Sequence, residues 1–219
     1  IAKVAKENGV LSVIDNTFAT PYLQRPIELG ADIVTHSTTK YIGGHSDLLG
    51  GAVIVNDEEL YEKIRFLQFA AGAVSSPFDA WLTHRSIKTL AVRMDKHCTN
   101  AQAVAEFLDG HKNVEQVYYP GLAAHPGHEL AKRQMSGFGG IVSLRFATEK
   151  QAKDFCSRTK LFTLAESLGG VESLVNHPAE MTHASVKGSP LEVGPEIVRL
   201  SVGIENPKDL LADLAQALS

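Results

Sequence analysis

Cysteine is scarce: Cys98 and Cys156 are the only two in 219 residues. That is too few for a disulfide framework and suits buried free thiols in a cytoplasmic protein. Charge of one sign is also missing. Lys and Arg total 21 against 25 Asp and Glu, a net charge of −4, which gives no argument for a nucleic-acid or anionic-membrane partner. No apolar run approaches the roughly 20 residues that span a bilayer. The opening Ile1-Ala2-Lys3-Val4-Ala5-Lys6 has neither an initiator Met nor a signal-peptide layout. Neither a Gly-x-Gly-x-x-Gly fingerprint nor a phosphate loop with Gly-Lys-Ser/Thr occurs, so dinucleotide and ATP cofactors are not indicated. There is no internal repeat and no low-complexity tract.

What is present fits a globular chain: 44% hydrophobic residues, enough for a real core in one large or two modest domains. Residues 1–8 look like the back half of a helix closed by Gly9, as if the chain began inside a domain. Leu11-Ser12-Val13-Ile14 reads as a short strand buried on both faces, as in parallel sheets, with Asp15 at its carboxyl end. Ala31-Asp32-Ile33-Val34-Thr35 reads as the next strand, followed by Ser37, and Gly51–Val55 as a third. A helix is expected over 57–69, capped by Asp57 or Asn56. A long helical stretch follows over 77–110, with an interruption near Ser86. Beyond it, strands at 114–118, 140–146 and 195–202 and helices at 149–159 and 207–218 predict an α+β region with a sheet covered on one side. Residues 121–127 and 187–194 are loop-rich.

The chemistry concentrates at Ser37-Thr38-Thr39-Lys40. A lysine framed by hydroxyls, with a carboxylate ending a neighbouring strand, is what a pyridoxal-phosphate site needs. The lysine amine can form the Schiff base, the hydroxyls can donate to the phosphate, and the carboxylate can keep the pyridine nitrogen protonated. Ligands of open α/β sheets sit beyond the carboxyl ends of strands, where Asp15 and Ser37–Lys40 both fall. His125-Pro126-Gly127-His128 offers only two histidines, too few for a metal site.

The run Asp15-Asn16-Thr17-Phe18-Ala19-Thr20-Pro21, then Gly30-Ala31-Asp32 and Ser37 through Asp47, closely resembles the trans-sulfuration family of pyridoxal-phosphate enzymes. The resemblance continues through Leu164–Gly170, Met181-Thr182-His183-Ala184 and Val198–Gly203, and so covers essentially the whole chain. It implies an α/β fold-type I large domain, partial and mostly parallel, in residues 1–84. A linking helix and a small α+β C-terminal domain would occupy 85–219. One local departure, Ser86-Ile87 where the family more often has Gly-Leu, bears on helix geometry alone.

Carried over residue by residue, the resemblance makes Lys40 the Schiff-base lysine and Asp15 the partner of the pyridine nitrogen. Ser37 and Thr39 become phosphate ligands, and Thr17 lies near the cofactor ring. Arg199 would grip the substrate α-carboxylate, for which a planar guanidinium is suited, with help from Ser167. Thr182 falls in an active-site loop. Glu166 resembles the cystathionine γ-lyase and γ-synthase branch, whose substrate carries a distal amino-acid end. The implied activity is γ-elimination of cystathionine, then γ-replacement on an O-acylhomoserine, then sulfhydrylase or methionine γ-lyase chemistry. Family members are commonly homotetramers, dimers of dimers with shared active sites. They are also longer on the N-terminal side, so the chain is expected to be a C-terminal portion. An inactive fragment or one half of a split enzyme is the non-enzymatic alternative.

Overall fold

The computed structural model describes residues 1–183 and 185–219; Ala184, in the Met181–Ala184 motif, lies outside the described residues. The chain divides into two compact units, Ile1–Ala91 with Gln134–Ser136, and Val92–Arg133 with Gly137–Ser219.

The first unit is built on a three-stranded sheet of β1 (Val13–Asp15), β2 (Ile33–Ser37) and β3 (Gly51–Val55), in that order. β1 and β2 run parallel, with Asp15 opposite Thr35. β3 returns antiparallel to β2, with Ser37 opposite Gly51. The sheet is therefore mixed where a mostly parallel one was expected. A parallel connection needs a crossover element. The link over 38–50 instead curls into a π-type turn, Thr38–Ile42. β1 is an edge strand, so Val13 and Asp15 are exposed rather than buried on both faces.

Around this sheet lie α1 (Ala2–Glu7), α2 (Thr20–Leu23), α3 (Glu58–Ala71) and α4 (Pro77–Ile87). Asp57 caps α3, its carboxylate accepting from the Leu60 amide at 2.8 Å. Gly72, at φ 68°, closes that helix in the left-handed conformation. The expected interruption of the long helical stretch falls just after Ser86. α4 stops at Ile87, the Thr89 amide and hydroxyl both donate to the Ser86 carbonyl, and α5 (Leu90–Leu108) begins anew.

The second unit holds β4 (Gln116–Tyr118), β5 (Ile141–Arg145), β6 (Thr163–Leu164), β7 (Leu174–Asn176) and β8 (Ile197–Ser201), ordered β4-β5-β8-β7-β6. All neighbours are antiparallel except β6 with β7. Its helices are α5 from Val92 onward, α6 (His128–Gln134, whose last residue falls in the first unit), α7 (Glu149–Arg158) and α8 (Pro207–Ala217).

Alternation along the strands explains the layering. Val142, Leu144, Val175, Val198 and Leu200 point to one face. There they share a buried core with Ala101, Val104, Leu108, Phe155, Leu210 and Leu214 of α5, α7 and α8. This is the sheet covered on one side that the pattern predicted. Asp213 ties α8 to the chain after α7, accepting from the amides of Lys160, Leu161 and Phe162. Both cysteines are free thiols; Cys156 lies in the core, where burial pushes its thiol up to about 12, while Cys98 is half-buried. Among the described residues no helix is long and apolar enough to cross a membrane.

Candidate active site

The first unit brings five of the candidate residues onto adjoining segments. Asp15 is the last residue of β1 and Ser37 the last of β2. Thr17 joins them. Its amide donates to Asp15 Oδ1 at 2.9 Å, and its hydroxyl oxygen accepts the Ser37 amide at 2.8 Å. The Thr17 hydroxyl and amide hold the Asp15 carboxyl below the usual carboxylate range, and the nearby His36 adds to this against a desolvation penalty. Asp15 is thus an ionised, solvent-reachable carboxylate at neutral pH.

Lys40 sits within the π-type turn and interrupts its helical geometry, with φ −92° and ψ −132°. Bonds from the Gly43 amide to the Thr38 carbonyl and from the Gly44 amide to the Lys40 carbonyl close the turn. Gly43 is required there: a Cβ would stand 2.7 Å from the Thr38 carbonyl oxygen. The Ser37 hydroxyl makes no hydrogen bond with any described residue. Thr39 differs: its hydroxyl oxygen accepts the Gly50 amide at 3.0 Å, and its proton reaches the Gly50 carbonyl at 3.3 Å. Thr39 therefore clamps the turn to the start of β3.

The second unit gathers the other four. Arg199 lies in the middle of β8, on the sheet face opposite the helices, between Ser143 of β5 and Asn176 of β7. Its Nη2 donates to the Ser167 carbonyl at 3.0 Å. Ser167 takes a positive φ of 87°, unusual for a side-chain-bearing residue. Glu166 is exposed and makes no hydrogen bond or ion pair with any described residue. Thr182 is exposed; its hydroxyl contacts His183 Nδ1 at 2.8 Å and donates to Asn176 Oδ1 at 3.4 Å.

Two neighbours escaped the sequence reading. Asn176 is fully buried, faces Arg199 across the β7–β8 ladder, and connects the Thr182 loop to the Ala165 carbonyl. The polar residue ending the apolar run Leu174-Val175 was the available signal. His36 is buried beside Asp15, and its Nδ1 has no hydrogen-bond partner among the described residues. Burial lowers its pKa while the Asp15 charge opposes the shift. The His125–His128 pair is spent locally: His128 Nδ1 bonds the Pro120 carbonyl and its ring stacks on Phe138.

Comparison with known proteins decides the family. The model of the Cys/Met metabolism PLP-dependent enzymes matches residues 1–219. The chain belongs to this family. A relative from Mycobacterium leprae named cystathionine gamma-synthase is 62% identical over all of this chain and 57% of its own length. A Lactococcus lactis relative named cystathionine beta-lyase is 56% identical over all of this chain and 58% of its own. The crystal structure of cystathionine gamma-synthase from Xanthomonas oryzae in complex with cystathionine superposes with a TM-score of 0.95 at 50% identity. That match covers 99% of this chain and 57% of the other. The chain thus spans a little over half the length of the relatives it matches.

The residues present fit the cofactor of this family, pyridoxal phosphate. An ionised Asp15 suits a protonated pyridine nitrogen. The uncommitted Ser37 hydroxyl suits a phosphate oxygen. The Thr39 proton is engaged by the Gly50 carbonyl and must turn away from it to reach a phosphate.

Proposed function

We propose that the chain supplies the lysine, the ring-nitrogen carboxylate and the carboxylate-binding arginine of a trans-sulfuration enzyme acting at the γ-carbon of cystathionine-class amino acids. The observation that carries this reading is the link Asp15–Thr17–Ser37, which ties the carboxylate to the segment bearing Lys40.

Pyridoxal phosphate, when bound, supplies an electron-accepting ring conjugated to the substrate α-carbon. Lys40 would anchor it, and its amine would serve as the general base for the substrate α-proton. Asp15 would keep a proton on the ring nitrogen through a charged hydrogen bond, and Thr17 holds Asp15 in place. Ser37 would donate to the phosphate, and Thr39 would do so on turning its proton away from Gly50. Arg199 holds the α-carboxylate, assisted by Ser167, and Glu166 meets the distal ammonium of the substrate. Thr182 adds a hydroxyl from its active-site loop.

In γ-elimination, cystathionine and water become cysteine, 2-oxobutanoate and ammonia. In γ-replacement, an O-acylhomoserine and cysteine become cystathionine and the free acid. The sequence runs Met181–Val186 and Arg199–Gly203 support elimination as the first reading; Glu166 suits both reactions, and the names of the Mycobacterium leprae and Xanthomonas oryzae relatives support replacement as the second. The working assembly is proposed to be a homotetramer, a dimer of dimers with shared sites.

The test is paired assays on the cofactor-loaded enzyme: 2-oxobutanoate release from L-cystathionine, and cystathionine formation from O-succinylhomoserine plus cysteine. The faster reaction assigns the direction. Lys40→Ala lowers turnover by roughly 10²–10⁴-fold, the range of a lost general base. A variant retaining turnover within roughly 10-fold overturns the role of Lys40.

A further inference from the structure

We propose that Ser201 is a positioning residue for the carboxylate grip, acting through the 166–170 loop on Arg199. The proposal rests on the reading of Arg199 given above.

β8 alternates Val198 and Leu200 into the core with Arg199 and Ser201 on the opposite face. Those two side chains take hold of one loop at two points. Arg199 Nη2 donates to the Ser167 carbonyl at 3.0 Å, and the Gly169 amide donates to Ser201 Oγ at 2.9 Å. The contacts keep step: two residues apart on β8, two residues apart on the loop. Ser201 is 2% exposed, so its hydroxyl is not solvent-facing decoration.

The loop needs such a hold. Ser167 sits at φ 87° and Gly169 at φ 79°. Left-handed backbone is open to glycine and strained for a side-chain-bearing residue. Strain of this kind persists only where surrounding bonds over-determine it. Ser201 supplies the bond on the far side of Ser167, and Gly169 is buried, so its amide has to be paired. With that bond the Ser167 carbonyl points at one arm of the guanidinium. Arg199 is thereby oriented before substrate arrives.

The experiment is a spectroscopic titration of the cofactor-loaded enzyme with L-norvaline and with n-butylamine, the same amine lacking the carboxylate. Ser201→Ala leaves a buried amide unpaired. The expected result is norvaline binding weakened roughly 10-fold, with butylamine unchanged within about 2-fold. Arg199→Lys serves as the control and weakens norvaline more. If Arg199→Lys leaves norvaline untouched, the carboxylate reading of Arg199 falls and this proposal with it. If Arg199→Lys discriminates and Ser201→Ala does not, only the role of Ser201 is overturned. Equal weakening of both amines by Ser201→Ala also overturns it, because that is the mark of a general structural defect. Ser167→Gly removes the strain. In that background Ser201→Ala costs norvaline less than roughly 3-fold, and an undiminished effect refutes the coupling. Should Ser201→Ala not fold, Ser201→Cys keeps the volume with a poor acceptor and gives the same discrimination.

Discussion

α3 and α7 show how differently the two units are held. α3, fourteen residues long, buries none of them, and Phe66 and Phe69 stand 67% and 82% exposed. α7, ten residues long, buries Ala152, Phe155 and Cys156 against the five-stranded sheet. The arginine of the candidate site therefore rides on a strand locked into a dense core. The lysine rides on a turn in a unit whose helices leave large apolar side chains uncovered by the rest of this chain. Burial sets the cost of truncation, so equal chemical changes in the two units have unequal consequences. Phe155→Ala costs about 3–5 kcal/mol, whereas Phe69→Ala changes stability by within about 0.5 kcal/mol. Denaturant titration of the two variants checks this, and similar losses would erase the contrast.

Buried histidines sharpen it. In the second unit His97 is fully buried and donates from Nδ1 to the carbonyl of Val202, just past β8. Desolvation drives its pKa down to about 4; the Val202 carbonyl and Glu172 oppose the shift and Arg93 reinforces it. The folded value lies below the ordinary 6.5 of the unfolded chain. The unfolded state therefore takes up the proton first. The stability from neutral His97 is complete above pH 6.5 and drains away as pH falls towards 4. At pH 5 the loss amounts to about 2 kcal/mol. His97→Asn keeps a donor for Val202 but cannot titrate, so its stability should be flatter between pH 7 and 5 by that amount. An unchanged slope would remove His97 from the account. His36 in the first unit shifts in the same direction, but the neighbouring charge of Asp15 opposes it, so His36→Asn should flatten the profile less.

Legibility from sequence divided along physical lines. Elements set by local signals were readable: the Asp57 cap, the break after Ser86, and the alternation that faces Val198 and Leu200 inward. Asp15 and Ser37 at strand ends followed from the same patterns. What escaped depends on partners far along the chain. β6 and β7 have two and three residues and no periodicity to detect. Their pairing with β8, not their composition, makes them strands, and so Asn176 was missed. The direction of β3 was hidden because the 38–50 link carries no sign that it turns back. The engagement of Thr39 with Gly50 depends on that return. Conversely, β1 looked doubly buried because its residues are apolar; its place at a sheet edge is a fact of topology.

The smallest effect runs against the general contrast. Helix caps act locally, whatever core lies beneath. Asp57 accepts from the Leu60 amide at 2.8 Å with a full carboxylate at the positive end of α3. Thr148 accepts from the Gln151 amide of α7 at a longer 3.3 Å. Asp57→Ala should cost about 1 kcal/mol and Thr148→Ala about 0.5 kcal/mol, the typical value and the low end of the range for a lost cap. The unit with the poorer core thus has the stronger cap. The reason is that α3, with no buried face, draws its order from its ends, from the Asp57 cap to the Gly72 close. Hydrogen exchange along α3 tests this. Asp57→Ala should speed exchange through the whole helix, because without a buried face nothing else arrests fraying. Thr148→Ala should speed only the first turn of α7, since Phe155 anchors the rest. Exchange confined to the first turn in both would mean that α3 is held by tertiary contacts after all, and the contrast between the units would shrink to the core alone.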